Sequence, residues 1–191
     1  EQPISSSSIK KEEIKSNSVS KTLGENISVK VSNLTSSAIN TTALMQNSPE
    51  FLKEDIEILI IHTHASESYT PSEKYNYTPT DTYRTLDTNF NTIAVGKKIK
   101  SILEENGIKA HHDTSINDYP SYNESYNKSC AIAEKYIKDN PKIKIVLDVH
   151  RDAIVDASGN NVKYISSIDG KDAASLMMVV GSNLGGLSHD K

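Results

Sequence analysis

The chain has 191 residues, of which 36% are apolar and 24% charged, enough for one globular core with a tail. Its net charge of −4, a pI near 5.9 and the lack of any long basic run exclude the electrostatic footprint of a nucleic-acid binder. No stretch approaches the roughly 18 to 20 apolar residues of a membrane span, and a single cysteine, Cys130, excludes an internal disulfide.

Residues 1 to about 24 are rich in serine, lysine and glutamate (SSSSIKKEEIKSNSVSKT) and too poor in apolar side chains to offset the entropy of ordering, so they read as linker. The chain starts at Glu1 with neither an initiator methionine nor a signal sequence, which suggests a segment of a longer protein. Ile27 to Val31 alternates apolar and polar as an edge strand does, and a Ser/Thr/Asn-rich connection follows as far as Pro49. The compact domain is expected from about Asp55.

Its first element is the apolar run Ile58 to Ile61, which reads as a strand buried on both faces. The run leads directly into His62-Thr63-His64 and Ser66-Glu67-Ser68. Open α/β sheets place ligands at the carboxyl ends of their strands, and His64-Ala65-Ser66-Glu67 is an HxxE array able to bring an imidazole and a carboxylate to one cation. The plainer reading is a histidine that packs at the strand end or caps the next helix. Tyr69 to Asp87 is a long loop containing four of the nine tyrosines and Arg84, one of only two arginines. An ion pair with Asp81 or Asp87 is the plain alternative to a binding role for Arg84.

Asn89 to Asn106 has apolar residues at helical spacing and is closed by Gly107. A short strand, Ile108 to His112, follows; its adjacent histidines must face opposite ways and suit solvent or support roles better than ligation. A second helix is expected over Glu124 to Asn140, with Ser125 or Asn123 as N-cap and Cys130 as a small buried hydrophobe. Lys142 to His150 reads as a second buried strand ending in His150-Arg151-Asp152, which supplies the third donor that HxxE lacks. Ser158 to Asn161 reads as a hairpin turn, Val162 to Ile168 as the returning strand, and Ala173 to Gly181 as a last buried strand with Met177 and Met178 in the core.

HTHASESY, NFNTIAVG, HDTSINDYPSYNESYNKS, DVHRDA and MMVVGSNLGGLSH, in this order, resemble the stage II sporulation protein P family, peptidoglycan hydrolases of endospore formers related to zinc N-acetylmuramoyl-L-alanine amidases. The resemblance spans about Glu57 to His189. It implies an α/β fold, a mixed sheet flanked by helices like those of zinc amidases and exopeptidases, here C-terminally incomplete. Residues 1–54 would be a Ser/Lys-rich stalk and approach segment, and 55–191 a zinc hydrolase domain truncated at its C-terminus. It further implies cleavage of the muramoyl-L-alanine amide and of stem-peptide cross-links during forespore engulfment, outside the mother-cell membrane and facing the forespore. The membrane anchor would lie outside this chain, and the partners would be stage II sporulation proteins D and M.

Residue by residue, His64 and His150 stand where related amidases place their histidine ligands. Glu67 is the expected carboxylate ligand, with Asp87 as the alternative, because no glutamate opens the following helix. His62 is expected beside the metal, or as the ligand in place of His64. Arg151 is expected to stabilise the oxyanion. Arg84, Tyr122 and the tyrosine-rich loop are expected to dock stem-peptide carboxylates and glycan. The general base of related amidases is a glutamate on a late strand, expected beyond Lys191. Two other readings share this pattern: a metallocarboxypeptidase-like enzyme, and a non-catalytic cell-wall-binding module with a structural metal.

Overall fold

The computed structural model of the protein describes residues 18–22, 28–32, 55–168 and 170–180. In chain order the elements are β1 (Ser18–Thr22), β2 (Ser28–Ser32), β3 (Glu57–Ile61), α1 (Thr92–Glu105), β4 (Lys109–His112), α2 (Ser125–Asp139), β5 (Ile143–Asp148), β6 (Ile154–Val155), β7 (Asn161–Val162), β8 (Ile165–Ile168) and β9 (Lys171–Ala174). The chain is mixed α/β and divides into two compact units, one of Glu50–Asp152 and one of Glu1–Pro49 with Ala153–Lys191.

The Glu50–Asp152 unit is built on a parallel three-stranded sheet in the order β4-β3-β5. Each parallel pair needs a crossover, and α1 and α2 provide them. The run Glu57 to Ile61 becomes the central strand, and all five of its residues are buried. Alternation sends its side chains to opposite faces. Leu59 and Ile61 pack with Ile143 against Ile132, Ala133 and Tyr136 of α2. On the other face, α1 brings Gly96 against His62 and His112, and it buries Ile93.

Helix α1 starts where its sequence says it should. Asn91 is the N-cap, accepting a hydrogen bond from the Ile93 N–H at 3.0 Å. At the other end Gly107 takes φ 78°, the left-handed conformation that a helix C-terminus asks of glycine. Helix α2 departs from expectation: its cap is Glu124, whose side chain makes no capping bond, while Ser125 Oγ bonds the Tyr122 carbonyl at 2.6 Å. Cys130 is exposed on α2, not buried, because it points away from the Ile132, Ala133 and Tyr136 face.

A larger correction concerns β5. Its apolar run predicts burial on both faces, yet Ile145 and Val146 are each 38% exposed. Among the described residues the strand has only β3 as a neighbour and lies at the sheet edge, and α2 covers little beyond Ile143.

In the other unit, β1 and β2 pair antiparallel with Val19 opposite Val31. The strand expected near Ile27 is thus present as β2, but its partner lies in the stretch read as linker. The Ser/Lys composition of SVSKT hides an alternation that a two-stranded pair can use. The turn at Gly159 (φ 82°) joins β6 to β7, and β8 pairs antiparallel with β9. The last buried strand is not found: only Lys171–Ala174 is a strand, and Leu176 to Val180 are exposed, Met177 by 65% and Met178 by 74%. Gly181 lies outside the described residues.

Candidate functional site

The parallel register places Ile61 beside Asp148, so β3 and β5 end at the same edge. The histidines just past each strand therefore meet, as the carboxyl-end rule expects. The rings of His64 and His150 lie with centroids 5.3 Å apart.

The loop that holds His64 and Glu67 is fixed by its own turn and by α1. Glu67 N–H bonds the His64 carbonyl at 3.2 Å, and Thr92 N–H bonds the Glu67 carbonyl at 2.8 Å. Thr92 Oγ1 donates to the Ala65 carbonyl at 3.1 Å. The orphan donors of a helix N-terminus thus serve to pin the site loop.

Glu67 is buried between both arginines and His150. Its Oε2 accepts the Arg151 N–H at 2.9 Å and lies 3.8 Å from His150 Nδ1, while Oε1 is 3.7 Å from Arg84 Nη2. Asp87, the alternative carboxylate, is exposed and accepts from the Asn89 N–H and side-chain amide. Of the two, Glu67 is the one brought to the histidines.

His150 has a second carboxylate on its other nitrogen. Nε2 bonds Asp148 Oδ2 at 2.9 Å, and this bond, set against burial, raises the His150 pKa above its ordinary value. Burial alone would raise the Asp148 pKa, but the bonds from His150 and from both Thr63 groups hold it low. His64 moves the other way, since desolvation disfavours its charged form. Its Nδ1 is buried without a hydrogen-bond partner, and Tyr122 stacks on its ring at 4.5 Å with Tyr126 edge-on at 5.3 Å.

His62 lies beneath the site, 1% exposed. Its Nδ1 is 3.1 Å from the Val149 carbonyl, which can only accept, so Nδ1 donates; Nε2 must then accept from His112 Nε2 at 2.8 Å. Burial lowers both pKa values, that of His112 to about 4. Its placement is that of a support joining β4, β3 and the segment before His150.

Arg84 does not pair its side chain with Asp81 or Asp87. Nη1 bonds Asp118 Oδ2 at 2.6 Å and Ser66 Oγ at 2.9 Å, and the guanidinium carbon sits 5.2 Å from the Tyr122 ring centre. Arg151 Nε is buried with no partner, while its Nη2 lies 3.4 Å from the Tyr83 carbonyl. Tyr83 itself has φ 53°, an uncommon conformation for a residue with a side chain.

Sequence reasoning missed Asp118 and Asp148. Asp148 carried a usable signal, since it stands two residues before His150 and so shares its side of an extended chain. Nothing in the sequence links Asp118 to Arg84, 34 residues away.

Among the described residues no group of three or more His, Cys, Asp or Glu side chains is arranged as a metal centre. The donor chemistry of His64, Glu67 and His150 nevertheless suits zinc, which takes imidazole and carboxylate ligands. The unpartnered buried Nδ1 of His64 is a nitrogen still wanting a partner. Among the described residues no helix is long and apolar enough to cross a membrane. No curated protein and no solved structure matches the chain. One protein family does, described as Stage II sporulation protein P (SpoIIP), over residues 1–189.

Proposed function

The chain belongs to the stage II sporulation protein P family, and from that premise we propose that its Glu50–Asp152 unit holds the hydrolytic centre of a zinc-dependent N-acetylmuramoyl-L-alanine amidase and endopeptidase. A sporulation-related role in peptidoglycan hydrolysis follows from the family itself. The finer reading is supported above all by the meeting of His64, Glu67 and His150 at the carboxyl ends of β3 and β5. The scissile bonds are the amide between muramic acid and L-alanine and the stem-peptide cross-links, cut during engulfment beside stage II sporulation proteins D and M. Membrane anchoring is part of the proposal, as is a zinc amidase-like α/β architecture for the Glu50–Asp152 unit.

Zinc bound by His64, Glu67 and His150 would polarise the amide carbonyl and make water acidic enough to attack near neutral pH. The chain's own groups set the stage for that chemistry. The Arg151 N–H and Arg84 guanidinium orient the two oxygens of Glu67. Arg151 Nε, buried and unpartnered, is a donor available to the oxygen on which negative charge develops. Tyr122 and Tyr126, both more than half exposed, offer rings beside His64 for sugar or peptide. With its guanidinium turned to Asp118, Arg84 shapes this wall through Tyr122.

The test is mass spectrometry of purified peptidoglycan strands after incubation with the zinc-loaded protein. Glycan strands left with free lactyl carboxylates and released stem peptides with new L-alanine amino termini are expected, and a His150→Ala variant should give neither. Release of single C-terminal amino acids would favour the carboxypeptidase reading. Cleavage retained by His150→Ala would overturn the ligand assignment.

A further inference from the structure

One carboxylate beside the site has no part in the hydrolytic chemistry. Asp148 ends β5, and each of its oxygens is assigned. Oδ1 accepts the Thr63 N–H at 2.8 Å; Oδ2 accepts the Thr63 hydroxyl at 2.6 Å and faces His150 Nε2 at 2.9 Å. Thr63 Oγ1 has one proton, and it goes to Asp148; Ser129 Oγ, 2.7 Å from Thr63 Oγ1, donates to the Tyr126 carbonyl at 3.1 Å. The Thr63 N–H and hydroxyl, just past the end of β3, therefore hold Asp148 beside the His150 ring. A carboxylate fixed this way has only lone pairs left for His150.

We propose that Asp148 is a positioning residue that holds the His150 imidazole with its proton on Nε2, leaving the Nδ1 lone pair turned toward Glu67. The inference deepens the metal-site reading and rests on it for its purpose, though not for its geometry. A histidine ligand binds through one nitrogen only if the other carries the proton, and a carboxylate on that proton fixes both tautomer and ring orientation. The facing distance on the ligand side is Nδ1 to Glu67 Oε2, 3.8 Å.

Substitution by asparagine makes the idea sharp. The Thr63 N–H is an obligatory donor, so the amide oxygen of Asp148→Asn must stay in the Oδ1 position. The amide NH₂ then occupies the Oδ2 position and donates to His150 Nε2, which moves the imidazole proton to Nδ1. Near-isosteric replacement should thus invert the tautomer and block the nitrogen that faces Glu67.

The experiment is ¹⁵N NMR of the histidine side chains in the metal-free full chain at mildly alkaline pH, paired with zinc affinity from competition against a chromophoric chelator. Wild type should show His150 protonated on Nε2. D148N should show the proton on Nδ1 and bind zinc about 10- to 100-fold more weakly. Thr63→Val, which loosens Asp148 but keeps its charge, should retain the wild-type tautomer with a smaller loss of affinity. It also carries the test should D148N fail to fold: affinity equal to wild type in T63V would then overturn the proposal. An unchanged His150 tautomer in a folded D148N would overturn it directly, whatever the stability of that variant. A wild type with the Nε2 proton, inverted in D148N but taking up no zinc, would sustain the role of Asp148 and overturn the metal reading instead.

Discussion

Asp118 holds a carboxylate whose side chain has 0% exposure, and it answers for that burial with three bonds: to Ser66 N–H, Ser66 Oγ and Arg84 Nη1. A buried charge is tolerated when paired in this way, and removing Asp118 leaves the buried Ser66 N–H and hydroxyl without their acceptor and Arg84 with only the longer contact to Glu67. Asp118→Ala should therefore destabilise the chain by roughly 3–5 kcal/mol, measured by urea denaturation; a loss below about 1 kcal/mol would mean that the pair behaves as a surface ion pair. Gly96 is a second sensitive point. A Cβ there would lie 2.6 Å from both His112 Nε2 and His62 Nε2, two rings held by their mutual bond. Alanine gains about 1 kcal/mol of helix propensity, but overpacking a buried contact costs up to about 3. Gly96→Ala should lower the urea midpoint, and a raised midpoint would show that the histidines yield freely. His64, Glu67 and His150 are legible as a group because parallel strands deliver the residues after them to a common edge. Asp118 is not, since a contact between two loops leaves no periodicity behind.

At the scale of elements, β3 and β4 are tied at their amino ends by Glu57, which accepts from His111 Nε2 and from Lys109 Nζ. The His111 bond, then the Lys109 bond, hold the Glu57 carboxyl below its ordinary pKa of 4.5. The unfolded chain therefore binds that proton more tightly than the folded one. Stability from Glu57 is complete above 4.5 and is lost as pH falls through the lower folded pKa. Glu57→Gln should flatten the acid side of a plot of urea midpoint against pH, and an acid side as steep as wild type would contradict this account. The same elements show what apolar runs reveal. Ile58 to Ile61 predicts a buried strand and is one, with a helix on each face and a strand on each edge. Ile145 and Val146 belong to an equally apolar run, but burial is settled by neighbours that the run itself does not specify. Helix α1 was readable because its cap, its period and Gly107 agree.

At the scale of the whole molecule, the residues expected to do chemistry come from separate parts of one unit: the turn after β3, the tyrosine-rich loop, the approach to α2 and the segment after β5. A parallel sheet is suited to this, because its crossovers return every strand to the same edge. Family membership over residues 1–189 gives the chain a sporulation-related role in peptidoglycan hydrolysis, and the proposal above assigns that chemistry to this edge. The strand β1, partner of the expected β2, lay hidden in polar sequence, and Leu176 to Val180 looked like core; both cases show composition failing where pairing partners decide the outcome. The central claim is that His64, Glu67 and His150 together hold one zinc ion. Elemental analysis of protein purified with zinc and then freed of loose metal tests it most directly. One zinc per wild-type chain, lost in both His64→Ala and His150→Ala, is the expected result; zinc retained in those folded variants, or none in wild type, would contradict it.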